Sequence, residues 1–157
     1  MGTIVGLKRS ICGIFTSMDI KKPENILSQY DFIVFALLFG SHASQKVHTM
    51  SDLDIAIYTD SEIDLLMMGE IIATLEAEMN TKIDLVVLND FYKTDPKLAF
   101  NITDNHEVIF CRDRECYIDF KTMSMKYYFD IAPMYEMFDK ALKERLKNGT
   151  YGKTQTA

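Results

Sequence analysis

Three aspartates carry most of the chemistry this sequence can offer: Asp52, Asp54 and Asp84. Asp52 and Asp54 stand one residue apart in "SDLDIAIYT", a stretch that alternates with a period of two. Residues i and i+2 of a strand share a face, so the two carboxylates lie within roughly 7 Å of each other. Like charges that close raise each other's pKa and oppose folding unless something neutralises them. A divalent cation does so directly. Mg²⁺ takes one or two carboxylates from a protein and fills its remaining positions with water and phosphate oxygens. Asp84 is the charge inside the apolar alternation of "KIDLVVL". If that segment lies beside the first, all three carboxylates meet on one face of a sheet. Such a set suits two ions, one activating an attacking oxygen and one stabilising a leaving pyrophosphate. Gly40-Ser41, a short loop upstream, supplies a phosphate anchor. A glycine at a strand end lets the backbone approach a phosphate. The Ser41 hydroxyl and the N–H groups of a following helical turn can then hold its oxygens.

The elements that must position these residues are legible from periodicity. Residues 3–18 place Ile4, Leu7, Ile11, Ile14, Phe15 and Met18 at helical spacing. Pro23 suits the first turn of a second short helix ending near Tyr30. "FIVFALLF", Phe32 to Phe39, is a continuous apolar run, as in a strand covered on both faces. In the next strand Leu53, Ile55 and Ile57 point one way, and Asp52, Asp54, Ala56 and Tyr58 the other. A helix follows, with Ser61 as N-cap, Asp64 three residues later, and a stripe of Ile63, Leu66, Met67, Ile71, Leu75 and Met79. "KIDLVVL" is a third strand, Pro96 opens a short helix through Phe100, and "HEVIFC" is a fourth strand. From about Arg114 the chain reads as helix, interrupted near Pro133 and stopped at Asn148-Gly149. Strands and helices interleave, which predicts an α+β domain with helices packed on a small mixed sheet.

Composition bounds the function. The chain has 157 residues and a formal net charge of -6. That length suits one domain with a real core. That charge argues against a phosphate-tracking nucleic-acid surface, which needs clustered Lys and Arg. It leaves room for a nucleotide held through a metal. Cys12, Cys111 and Cys116 form neither a CxxC nor an even set, which speaks against a zinc site or a disulfide framework and for a reducing cytoplasm. All three read as buried small hydrophobes. No apolar run is long enough to cross a bilayer, and "MGTIVGLKRS" has no signal-peptide pattern.

With these residues in view, "GSHASQKVHTMSDLDIAIY" resembles the signature of the DNA polymerase β-like nucleotidyltransferase superfamily, in its minimal (MNT) branch. That signature is Gly-Ser, a loop, Asp-x-Asp on a strand, and a third Asp on a later strand. The resemblance covers about residues 30–112, a catalytic core, with about 113–149 as a helical C-terminal extension of a single nucleotidyltransferase domain spanning 1–157. It implies that Asp52 and Asp54 bind Mg²⁺, that Asp84 is the third metal ligand and candidate general base, and that Gly40, Ser41 and Ser44 hold the nucleotide. The Tyr-, Phe- and Met-rich end is similar to MNT antitoxins of HEPN ribonuclease toxins. In that group AMP passes from ATP to a tyrosine of the toxin and silences it. The resemblance thus implies ATP as substrate, two Mg²⁺ ions, and a hetero-oligomer with a HEPN toxin. The alternatives are an antitoxin that acts by binding alone, and a nucleotidyltransferase for a small molecule such as an aminoglycoside. Where the family has Gly-Ser-x-Ala-Arg-Gly, this chain has Ser44 and Gln45 in place of the Arg and second Gly. Loss of a guanidinium weakens triphosphate binding or transition-state stabilisation. His42, Lys46 and His48 are the nearby groups that can substitute in part.

Away from the motif, His106 reads as structural. Met134, Phe138, Leu142 and Leu146 recur every four residues, a helix stripe assigned to packing against the sheet, with a partner-docking face as the alternative.

Overall fold

The computed structural model describes residues 20–40 and 52–149. The expected helix at 3–18, and with it Cys12, lies outside these residues. In chain order the elements are α1 (Lys21–Leu27), β1 (Ile33–Phe39), β2 (Leu53–Thr59), α2 (Leu65–Met79), β3 (Ile83–Val87), α3 (Phe91–Thr94), α4 (Pro96–Asp104), β4 (His106–Cys111) and α5 (Arg114–Lys147). The strands form a four-stranded mixed sheet in the order β3-β2-β1-β4. β1 runs antiparallel to both neighbours, and β2 runs parallel to β3. The parallel pair needs a crossover, which α2 supplies.

Each face of the sheet has its own core. Leu53, Ile55 and Ile57 meet Ile71 and Leu75 of α2 and Ile26 and Leu27 of α1. Phe35, Leu37 and Ala56 meet Ala99 and Ile102 of α4 and Phe120 of α5. The alternation read from β2 is thus the alternation observed. Fully burying one large apolar side chain contributes about 1.5–3 kcal/mol. β1, apolar throughout and buried on both faces, anchors the arrangement.

Polar side chains close the sheet's corners. The Asn89 amide donates to the Thr59 carbonyl at 2.6 Å and accepts from the Thr59 N–H at 3.0 Å, extending the β2–β3 ladder by one side-chain rung. The Arg112 guanidinium donates to the carbonyls of Ser28 at 2.6 Å, Tyr30 at 2.8 Å and Ile33 at 2.7 Å. With a further bond to the Asp31 carbonyl at 3.1 Å, it ties the turn between α1 and β1 to the residue that follows β4.

Several local readings are corrected. α2 is capped by Asp64, whose carboxylate accepts from the Met67 N–H at 2.8 Å, and not by Ser61. Ile63 packs against the α2 side of the core, so the chain stays extended past Ser61 before it turns. Leu66 falls outside the stripe and is exposed. α3 is an additional turn of helix. α5 runs unbroken through Pro133. Proline's fixed φ is itself helical, and at an exposed position the carbonyl it leaves without a donor can turn to water. Met134, Phe138, Leu142 and Leu146 do not pack on the sheet; all four are exposed. Cys111 is exposed too, whereas Cys116 is half-buried. Burial pushes both thiols up, which keeps them protonated and inert at neutral pH.

Candidate active site

The strand register brings two of the three aspartates together. Asp54 of β2 pairs with Asp84 of β3, so the two stand side by side on neighbouring strands. Directly paired residues share a face, at a strand spacing of about 4.8 Å. Asp54 is partly buried and Asp84 is exposed on the edge strand. Asp52 sits one residue ahead of β2 and is exposed. Among the described residues, no three His, Cys, Asp or Glu side chains converge closely enough to hold a metal ion by themselves.

Gly40 closes the other side of Asp54. It ends β1 with φ +74°, a left-handed conformation that favours glycine. A Cβ there would lie 2.9 Å from the Asp54 Cγ and overlap Oδ2 outright. The missing side chain is therefore the space that the Asp54 carboxylate occupies. Ser41, His42, Ser44, Gln45, Lys46 and His48 lie outside the described residues.

The same register row continues across the sheet. Phe39 of β1 pairs with Asp54 on one side and with His106 of β4 on the other. The row reads Asp84, Asp54, Phe39, His106. The two acids are thus walled by a buried ring and then by a half-buried imidazole. His106 Nε2 lies 2.6 Å from the Tyr117 hydroxyl of α5. Burial, and then the charge of Lys121, holds its pKa below the ordinary histidine value. The ring is neutral at pH 7 and fixed by its hydrogen bond, as expected of a structural histidine. Sequence reading placed His106 correctly on β4 but not in this row, because register is a property of strand pairing and leaves no local signal.

The arrangement has the donors for a divalent cation bound to a phosphate ester. Two adjacent carboxylates offer hard oxygens, the ligand type that Mg²⁺ takes.

Comparison with known proteins identifies the family. The polymerase beta nucleotidyltransferase family matches residues 21–115. Among solved structures, a chain of a toxin–antitoxin crystal structure with AMP-PNP is similar at TM-score 0.68 and 19% identity, covering 80% of this chain and 99% of that one. A tri-AMPylated Shewanella oneidensis HEPN toxin in complex with MNT antitoxin provides a second match at TM-score 0.60 and 17% identity, covering 78% and 98%. A toxin–antitoxin structure of MntA-HepT provides a third at TM-score 0.59 and 18% identity, covering 78% and 98%. At these identities the likeness establishes the fold. No curated protein matches the sequence. The family match spans more than half of the chain and contains β1 to β4 with Gly40, Asp54 and Asp84, so this protein belongs to the polymerase beta nucleotidyltransferase family.

Proposed function

We propose that this protein is an MNT-type antitoxin that transfers AMP from ATP to a tyrosine hydroxyl of a cognate HEPN toxin. The observation that carries the reading is the in-register Asp54–Asp84 pair beside a glycine whose Cβ position is taken by the Asp54 carboxylate. The structural neighbours, drawn from toxin–antitoxin complexes, one with AMP-PNP and one with an AMPylated HEPN toxin, support the substrate and the partner.

In this reading the tyrosine oxygen attacks the α-phosphorus of ATP, a new P–O bond forms, and pyrophosphate leaves. Asp54 and Asp52 would hold Mg²⁺, with Asp84 as third ligand or as acceptor of the tyrosine proton. Bound Mg²⁺ supplies charge neutralisation on the triphosphate and on the departing pyrophosphate. Gly40, Ser41 and Ser44 would anchor the phosphates. Exposed Asp84 stands on the open side of the pair, where an incoming hydroxyl from another protein can reach it.

The test is the intact mass of the toxin encoded beside this gene, after incubation with this protein, ATP and Mg²⁺. Wild type should add whole AMP units. Asp54→Asn should reduce the rate on the order of 10²-fold or more. Its melting temperature should be equal or higher, because repulsion between neighbouring carboxylates is relieved. Full transfer by Asp54→Asn would overturn the assignment. One observation favours a second reading: Ser44 and Gln45 stand where the family motif has Arg and Gly. If wild type adds no mass yet still neutralises the toxin, the protein acts by binding.

A further inference from the structure

We infer that the groove between the outer edge of β4 and the N-terminal turns of α5 docks an extended acidic segment of a partner protein, which adds to the sheet as a further strand. β4 ends the sheet order, so among the described residues its outer edge has no strand partner. Such an edge is a template for another chain. α5 folds back beside it. The Cys111 thiol lies 3.3 Å from the Asp113 carbonyl where the chain turns, and Tyr117 reaches His106 at the other end of β4. Between strand and helix lies a groove of about 660 Å³, with Val108 and Cys111 on the strand side and Arg114, Ile118, Lys121 and Met125 on the helix side. No residue of β1 lines it, so it opens outward of β4. Its floor is apolar and uncovered: Val108 is 40%, Met125 44% and Ile118 48% exposed.

The charges state what the segment carries. Directly paired strand residues share a face. Val108 pairs with Leu37 and Cys111 with Phe35, on the α5 side of the sheet. Glu107 pairs with Leu38 and faces the α1–α2 side. No carboxylate lines the groove, and its two charged groups, Arg114 and Lys121, are both cations. Neither makes an ion pair with a described residue. The acids of the same turns, Asp113, Glu115 and Asp119, line a separate pocket with Tyr58 and Tyr92. α5 thus sorts its charges to two flanks, and the groove is a basic site on a chain of net charge -6. Two unpaired cations around an apolar floor are complementary to two acids around an apolar side chain.

Spacing sets the motif. Arg114 and Lys121 are seven residues apart, about 10.5 Å along the helix axis. Side chains at i, i+2 and i+4 of an added strand face the groove, and the outer two stand about 13 Å apart. Both cations sit on long flexible stems that span the difference. The segment therefore reads acid, any residue, apolar, any residue, acid. Its carboxylates meet Arg114 and Lys121, and its apolar side chain rests on Val108, Ile118 and Met125. Main-chain hydrogen bonds to β4 supply the rest of the affinity.

The experiment is fluorescence anisotropy of a labelled peptide, Glu-Thr-Leu-Thr-Glu, titrated with the full-length chain in the absence of toxin, ATP and Mg²⁺. Wild type should bind it with a dissociation constant on the order of 10–100 µM, and more tightly at low salt. The counterpart Lys-Thr-Leu-Thr-Lys should bind about 10-fold more weakly or worse. Arg114→Glu with Lys121→Glu should reverse that preference. Arg114→Glu alone, at an exposed position, should weaken the acidic peptide severalfold with an unchanged circular dichroism spectrum. The acidic peptide N-methylated at every amide keeps its side chains, cannot donate to the strand edge, and should not bind. No binding by wild type, equal binding of the acidic and basic peptides, an unreversed preference in the double variant, or equal binding of the N-methylated peptide overturns the inference. So does displacement by free glutamate at the peptide's own concentration, which marks a small-anion pocket. So does a chain that dimerises through this groove by itself, seen in sedimentation velocity as a dimer that the double variant lacks.

Discussion

Gly40 is the residue with the least freedom to change. Its φ of +74° disfavours any side chain, and a Cβ would land on the Asp54 carboxylate. Gly40→Ala is expected to lose about 1–3 kcal/mol of stability and to displace Asp54. Chemical denaturation measures the first effect and AMP transfer the second. His106 makes a pH prediction. Its folded-state pKa is held below the ordinary value by burial and then by Lys121. The unfolded chain takes up that proton near pH 6.5, the folded chain only at lower pH. Its contribution is therefore intact above about pH 7, and stability is lost as pH falls through 6.5 towards the folded-state value. His106→Gln should show a shallower decline in melting temperature over that range than wild type. At this scale the sequence was informative where chemistry is costly. Asp52 and Asp54 in one apolar alternation demanded an explanation, and the strand register sets Asp84 beside Asp54. The fit of Gly40 against Asp54 was not readable, because it depends on how β1 ends beside β2.

The strands were readable as elements because burial imposes its period on them. β1 is apolar throughout and central, and β2 alternates and faces two different cores. Helix boundaries were less readable. Ser61 and Asp64 are both good caps by type, and the choice fell to Ile63, which must reach the core before the helix begins. Asp64→Ala should cost about 1 kcal/mol, while Ser61→Ala should cost only a few tenths, by denaturant titration. Pro133 read as a break because its cost in a helix interior is about 3 kcal/mol. The rest of a 34-residue helix holds its turns on either side. Pro133→Ala should therefore raise α5 helicity and thermal stability without changing the sheet, seen by circular dichroism.

At the scale of the molecule, the body and the distal helix are separable. No described residue beyond Tyr135 is buried. A chain ending after Tyr135 should melt within a few degrees of full length, since little surface leaves water there. The packing of Met134, Phe138, Leu142 and Leu146 was misread because a stripe states that a face will be covered and not by what. No helix among the described residues is long and apolar enough to cross a membrane. Arg112 has a consequence for biosynthesis. The four carbonyls it holds belong to residues 28, 30, 31 and 33, yet Arg112 itself follows β4, the last strand among the described residues. The central strand β1 therefore leaves the ribosome long before either β4 or the arginine that fixes its entry. At about 5–20 residues per second, the 79 residues between Ile33 and Arg112 take roughly 4–16 s to add. Throughout that interval the most apolar strand of the protein has one edge bare and its leading turn unclasped. Nascent chains stalled before residue 112 should thus be the form of this protein that chaperones hold and that aggregates when they do not.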